Sequence, residues 1–289
     1  MESNFIIEAV LPVSLMIIMA GLGLTLSLAD FRNVIVYPRA LVVGSVVQML
    51  VMPVVAFVIA VTLALPPAIA VGLIVIAACP GGATSNVFAF LALGNVALSI
   101  LLTVIASLLT ISTIPVFTNL ALDYFAAGDT QSVAQLPFLR TVIMLSTVVI
   151  LPVAVGMAVK VWQPVFAARS EKWVSRVGLI VLALIIVVLV MKTGGRALNL
   201  FALAGPASIA LILAGVGLGF LSGRLFRMSH ADALTIAIEV GIKNGTIGLL
   251  VTLTLLNDPE MGIAPSVYSV LMLMFGALLA RYGHRMSRG

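Results

Sequence analysis

Residues 70–88 read Ala-Val-Gly-Leu-Ile-Val-Ile-Ala-Ala-Cys-Pro-Gly-Gly-Ala-Thr-Ser-Asn-Val-Phe. The run is apolar enough for a membrane span, yet Pro80, Gly81 and Gly82 break its helical ladder near the middle. Thr84, Ser85 and Asn86 follow directly. Non-helical backbone at membrane depth persists only where it lines a cavity or is buried in protein. The plainer alternative is a kinked packing helix with small residues at its contact.

A second run, residues 233–250, reads Ala-Leu-Thr-Ile-Ala-Ile-Glu-Val-Gly-Ile-Lys-Asn-Gly-Thr-Ile-Gly-Leu-Leu. Glu239 and Lys243 are the carboxylate and the ammonium that must sit deep in the membrane. An ionisable group there costs at least about 2.5 kcal/mol and marks a functional site by default. Spaced four apart, the two could pair on an intact helix. Gly241, Gly245 and Gly248 point instead to an interruption, which frees carbonyls at one end and N–H groups at the other. Two interrupted spans, one in each half of the chain, are the sequence mark of a secondary transporter's binding site.

Composition sets the frame around these runs. Of 289 residues, 62% are hydrophobic and 9% charged, with a mean hydropathy of +1.28. A soluble domain is nearer 45–50% apolar and about 25% charged, so a soluble enzyme is excluded. Long continuous apolar runs, rather than short alternating ones, exclude a transmembrane β-barrel. The expected fold is all-α, a polytopic membrane protein of nine transmembrane helices. The spans fall at roughly 5–27, 40–62, 66–91, 95–121, 137–160, 174–192, 200–223, 231–256 and 262–281. An inverted repeat lacking its first helix would explain the uneven placing of the two interrupted spans.

The net charge of +5 does not point to nucleic acid, because the basic residues lie mostly in short loops. One side holds Arg32, Arg39, Lys160, Arg169, Lys172, Arg176, Arg224, Arg227, Arg281, Arg285 and Arg288, and the other Arg140, Lys192 and Arg196. That bias places the C-terminus in the cytoplasm and, with nine spans, the N-terminus outside. The first run contains Glu8 and reads as a span rather than a signal peptide. The single cysteine, Cys79, forms no internal disulfide. Trp162 and Trp173 read as interfacial anchors.

Other polar groups within apolar runs are Gln48, Ser99 and Thr103. Ser99 and Thr103 share a helix face, though each could bond back to its own helix. With Ser85, Asn86 and Glu239 they offer neutral oxygens and one negative charge, a set suited to a hard monovalent cation such as sodium. No His or Cys cluster offers a transition-metal site. A membrane-embedded protease is excluded, because His230 and His284 fall at span ends and no aspartate lies mid-span.

Cys79-Pro-Gly-Gly-Ala-Thr-Ser-Asn86, then Gly94-Asn-Val-Ala-Leu-Ser99, and Glu239-Val-Gly-Ile-Lys-Asn244 closely match two signature regions. At these residues the chain resembles the bile acid:sodium symporter family, including bacterial homologues of the apical sodium-dependent bile acid transporter. The likeness runs from about Leu11 to Arg281. It implies alternating access between a panel domain and a core domain, with the interrupted helices at 66–91 and 231–256 crossing in the core. The panel would comprise 5–27, 137–160 and 174–192, and the remaining spans would join the core.

The resemblance also implies a first sodium site of Ser85, Asn86, Ser99, Thr103 and Glu239. The second would use Gln48, Glu239 and the backbone carbonyls of Val240 and Ile242, but Lys243 stands where a glutamine is usual. One expectation is that Lys243 is a fixed surrogate cation, leaving a single sodium ion as the coupling ion. The alternatives are proton exchange by the lysine, or loss of sodium coupling, as in a carrier or exporter on the same scaffold. The implied substrate is an organic anion held by Gly82, Ala83, Thr84 and Asn244, with pantoate and keto acids standing beside bile acids. Leu273 and Met274 replace polar residues of bacterial relatives. The expected partners are this small anion and membrane lipid, with no nucleic acid. The expected state is a monomer in the inner membrane.

Overall fold

The computed structural model describes residues 11–27, 36–125, 135–167, 170, 180, 183–189, 191 and 194–286. Among the described residues the regular structure is helical, with no strand. In chain order α1 is Leu11–Thr25, α2 Pro38–Thr62, α3 Pro67–Ala78, α4 Ala83–Leu91 and α5 Val96–Phe125. Then follow α6 Phe138–Trp162, α7 Ala197–Leu225, α8 His230–Gly241, α9 Gly245–Leu249 and α10 Ile263–Met286. Prolines sit where a first turn needs no donor, at Pro38 and Pro67.

Among the described residues six helices are long and apolar enough to cross a membrane, and α3 with α4 makes a seventh if that bent pair is one span. This is the multi-span membrane protein expected from composition. The span expected at 174–192 lies largely outside the described residues, and its described part at 183–189 is helical. So do Arg32, Arg169, Lys172, Arg176, Lys192, Arg288 and Trp173. Trp162, at the end of α6, is 83% exposed.

Two contacts tie together chain ends that the alternation of spans puts on the same side. Lys160 Nζ donates to the Thr25 carbonyl at 2.6 Å, joining the ends of α6 and α1. Arg196, just before α7, pairs with Glu260 at 3.0 Å, in the segment between α9 and α10. Close helix approaches rest on glycine. A Cβ on Gly156 of α6 would run into Ala20 of α1, and one on Gly219 of α7 would meet Ala237 of α8.

The centre of the molecule is the pair α8 and α9. Every residue from Ala233 to Leu253 is buried, and the most apolar window of His230–Leu255 is wholly enclosed, against 28% for α6. The charged groups of α8 and the second break are thereby kept from lipid, while the apolar stretch Ile69–Ala78 of α3 is equally buried by packing alone.

Candidate functional site

The first break follows from the covalent chemistry of proline. Pro80 pushes the preceding Cys79 into an extended conformation (φ −71°, ψ 151°), so α3 stops at Ala78. Gly82 is also extended, and α4 restarts at Ala83 with the Ser85 hydroxyl accepting the Gly82 N–H at 3.2 Å. The two pieces are bent by 63°.

The second break has no proline. Helix α8 ends at Gly241, whose carbonyl accepts from the Tyr268 hydroxyl at 2.8 Å. Ile242 is extended, and Asn244 caps α9 by accepting the Ile247 N–H on its side chain at 3.3 Å. The breaks are joined directly, because the Asn244 N–H donates to the Pro80 carbonyl at 2.8 Å. The second gap's free N–H thus satisfies a carbonyl that the first gap leaves without a helical partner.

Glu239 lies in the last turn of α8 and points at the first break. Ser85 and Ser99 donate to its Oε1 at 2.7 and 2.5 Å, and Thr103 donates to Oε2 at 2.9 Å. The Asn86 side-chain oxygen stands 2.8 Å from Ser99 and 3.3 Å from Thr103. Three spans therefore bring five oxygen-bearing side chains to one point, with Ser85, Ser99, Thr103 and Glu239 fully buried. Ser99 and Thr103 do not bond back to their own helix, as Ser107 does to the Thr103 carbonyl. The backbone of the first break comes close to the carboxylate on one side, since a Cβ on Gly81 would strike Glu239 Oε2.

Lys243 lies in the second break and is 1% exposed. It does not pair with Glu239. Among the described residues the ion pair is Arg196–Glu260, and the helix that would set Glu239 and Lys243 one turn apart has already ended at Gly241. The ammonium donates instead to the backbone carbonyl of Gln48, at 3.3 Å. That carbonyl is free for a local reason. Residues Val47–Val51 form a π-helical turn, in which Met52 N–H reaches back to Val47. The fifth residue after Gln48 is Pro53, which has no N–H to give. The Gln48 side chain has no hydrogen-bond partner of its own. The Val240 carbonyl faces Gly215 of α7.

Beside this cluster lies a cavity of about 570 Å³. Gly82, Ala83, Thr84, Asn86, Lys243 and Asn244 are among its lining residues, with the polar Thr25 and Thr246. The rest is mostly apolar, with Leu22, Phe88, Ile100 and Leu273 among the lining residues. Met274 faces outward and is 61% exposed. Cys79 is buried, with its thiol on the Val75 carbonyl.

Sequence reasoning missed Pro53, Tyr268 and a clamp at Asn95. The Asn95 side chain caps α5 by accepting Leu98 N–H at 3.1 Å and donates to Asp232 at 2.8 Å, while its own N–H reaches Thr235 at 2.8 Å. An Asn directly before a helix was a readable cap signal, but its partners 137 and 140 residues away were not. Among the described residues no group of three His, Cys, Asp or Glu side chains could hold a metal ion.

The chain is similar to known proteins over most of its length. A protein of Bacillus subtilis named an uncharacterized sodium-dependent transporter is 34% identical over 281 residues, 96% of this chain and 83% of its own length. A probable sodium/metabolite cotransporter of Arabidopsis thaliana chloroplasts is 32% identical over 276 residues, covering 93% of this chain and 65% of its own length. The human ileal sodium/bile acid cotransporter is 26% identical over 289 residues, 96% of this chain and 81% of its own. These relatives are named as transporters, not as enzymes. The model of the sodium bile acid symporter family matches residues 12–200, and the chain belongs to that family.

Proposed function

We propose that the protein is a secondary carrier that moves an organic anion across the inner membrane by alternating access, coupled to one sodium ion. The observation that carries this reading is the convergence of Ser85, Asn86, Ser99, Thr103 and Glu239. Two carboxylate oxygens, an amide oxygen and three hydroxyls suit a hard cation, and a buried carboxylate gains from a positive partner. Sodium here is a transported substrate. In this reading α3–α4 and α8–α9 cross in a core domain, with α1 and α6 in a panel that moves against it.

The place of a second sodium, at Gln48, Glu239, Val240, Ile242 and Lys243, is taken by the lysine itself. Its ammonium on the Gln48 carbonyl supports this, because a fixed cation already uses that oxygen and repels another. The organic anion occupies the cavity, its charged end against Asn244, Thr84 and the N–H group of Ala83 beside Gly82, its body along the apolar walls. That lining favours an amphipathic anion over a small, fully polar one.

The experiment is the thermal midpoint of purified protein titrated with sodium chloride against potassium chloride. Sodium at ten times its dissociation constant should stabilise the fold by about 1.4 kcal/mol, and Glu239→Gln should abolish the difference. A sodium-independent carrier is the second reading, and Lys243 is the observation that favours it. It would be marked by identical midpoints in the two salts together with uptake driven by a proton gradient.

A further inference from the structure

At the end of α10, away from the Glu239 cluster, a crevice of about 310 Å³ is lined by Leu91, Ala280, Arg281, His284 and Arg285. It is built by close packing. A Cβ on Gly283 would meet the Ala92 carbonyl, so the last turns of α10 lie hard against the end of α4. Arg281 and Arg285 stand one turn apart on one face. Neither has a carboxylate partner among the described residues, and no acidic residue lines the crevice. On the same two helices Val87, Phe90 and Leu278 are each 45% exposed or more, Val87 and Phe90 also lining the main cavity.

We propose that this crevice binds the phosphodiester headgroup of an anionic phospholipid from the leaflet on the Arg224, Arg227, Arg281 and Arg285 side. Two guanidiniums on one face match a phosphate's oxygens. The exposed apolar side chains of these helices give the acyl chains a path that free phosphate has no use for. Charge and apolar surface together select a lipid of negative charge over a zwitterionic one. Leu91 lines both this crevice and the main cavity, so the lipid borders the cavity's edge.

Native mass spectrometry of the full chain in detergent, titrated with phosphatidylglycerol or phosphatidylcholine, tests the proposal. The wild type should retain one phosphatidylglycerol in preference to phosphatidylcholine. Arg281→Gln with Arg285→Gln should weaken that binding about 30-fold, and Arg281→Gln alone about fivefold. The single variant still reports its own fivefold loss should the double one not fold. Arg224→Gln with Arg227→Gln, on the same side but outside the crevice, should change nothing. Equal retention of the two lipids, or equal loss in the two double variants, would overturn the proposal. Displacement of the lipid by millimolar inorganic phosphate would overturn it too, because the site would then be one for free anions.

Discussion

Residues 67–91 and 230–255 are both apolar spans with a gap at mid-depth, yet the first is bent by 63° and the second passes as one 26-residue span. The first gap is made by Pro80, which cannot donate, and its polar side chains are neutral. Helix α4 can therefore lie at the rim, with Phe90 66% exposed and Thr84 and Asn86 on the cavity. The second gap has no proline and holds Glu239 and Lys243, and nothing between Ala233 and Leu253 leaves the interior. A neutral hydroxyl can sit on a helix that reaches the molecule's rim, whereas a charge is kept to the interior or to a cavity within the protein. The difference also separates two tasks. The charged span supplies the carboxylate, and the neutral span and α5 supply the hydroxyls that satisfy it.

Removing the charge should have the largest effect. Glu239→Gln takes the carboxylate from the three hydroxyls that donate to it and leaves buried Lys243 without a negative charge nearby, and a loss of about 3 kcal/mol in stability is expected. Sodium-dependent uptake into proteoliposomes should vanish with it. Retention of sodium-driven uptake would place the coupling site elsewhere.

The neighbouring glycines of the neutral span should behave unlike each other. Gly81→Ala forces a methyl group onto the carboxylate and should cost about 1–3 kcal/mol by thermal unfolding, with sodium's stabilising effect lost. Thr103→Val removes one hydroxyl from Glu239 while keeping shape. Its expected cost is about 1–3 kcal/mol, with a weaker sodium response on the same melting curves. Gly82→Ala should be the mildest, within about 1 kcal/mol of wild type, because its Cβ would only touch Asn244 at 3.4 Å in ordinary contact. If Gly82→Ala proved worse than Gly81→Ala, the carboxylate would not be the tight point of the first break.

Much of this contrast was legible in the chain itself. Pro80 with two glycines, and a mid-span Glu and Lys among glycines, marked both breaks, because proline's missing donor and the cost of buried charge are properties of single residues. The i, i+4 pairing of Glu239 with Lys243 was a reasonable alternative that failed, since it presumes a helix that stops at Gly241. The partner that Lys243 does take was not legible. It depends on a π-helical turn at Val47–Val51 which lines up the missing donor of Pro53 with the carbonyl of Gln48, and 195 residues separate that carbonyl from the lysine. Nor could the sequence show that the Asn244 N–H bonds to the Pro80 carbonyl. Long-range pairings of this kind are decided by packing, not by local preference.

The most direct test of the contrast between the two spans is to count radioactive sodium bound per chain in wild type and in Lys243→Gln. If the ammonium stands in for a second ion, wild type should bind one sodium and the variant two, with the added ion lost again in Lys243→Gln with Gln48→Leu. Two ions in the wild type, or no added ion in Lys243→Gln, would contradict the assignment of Lys243 as a built-in cation.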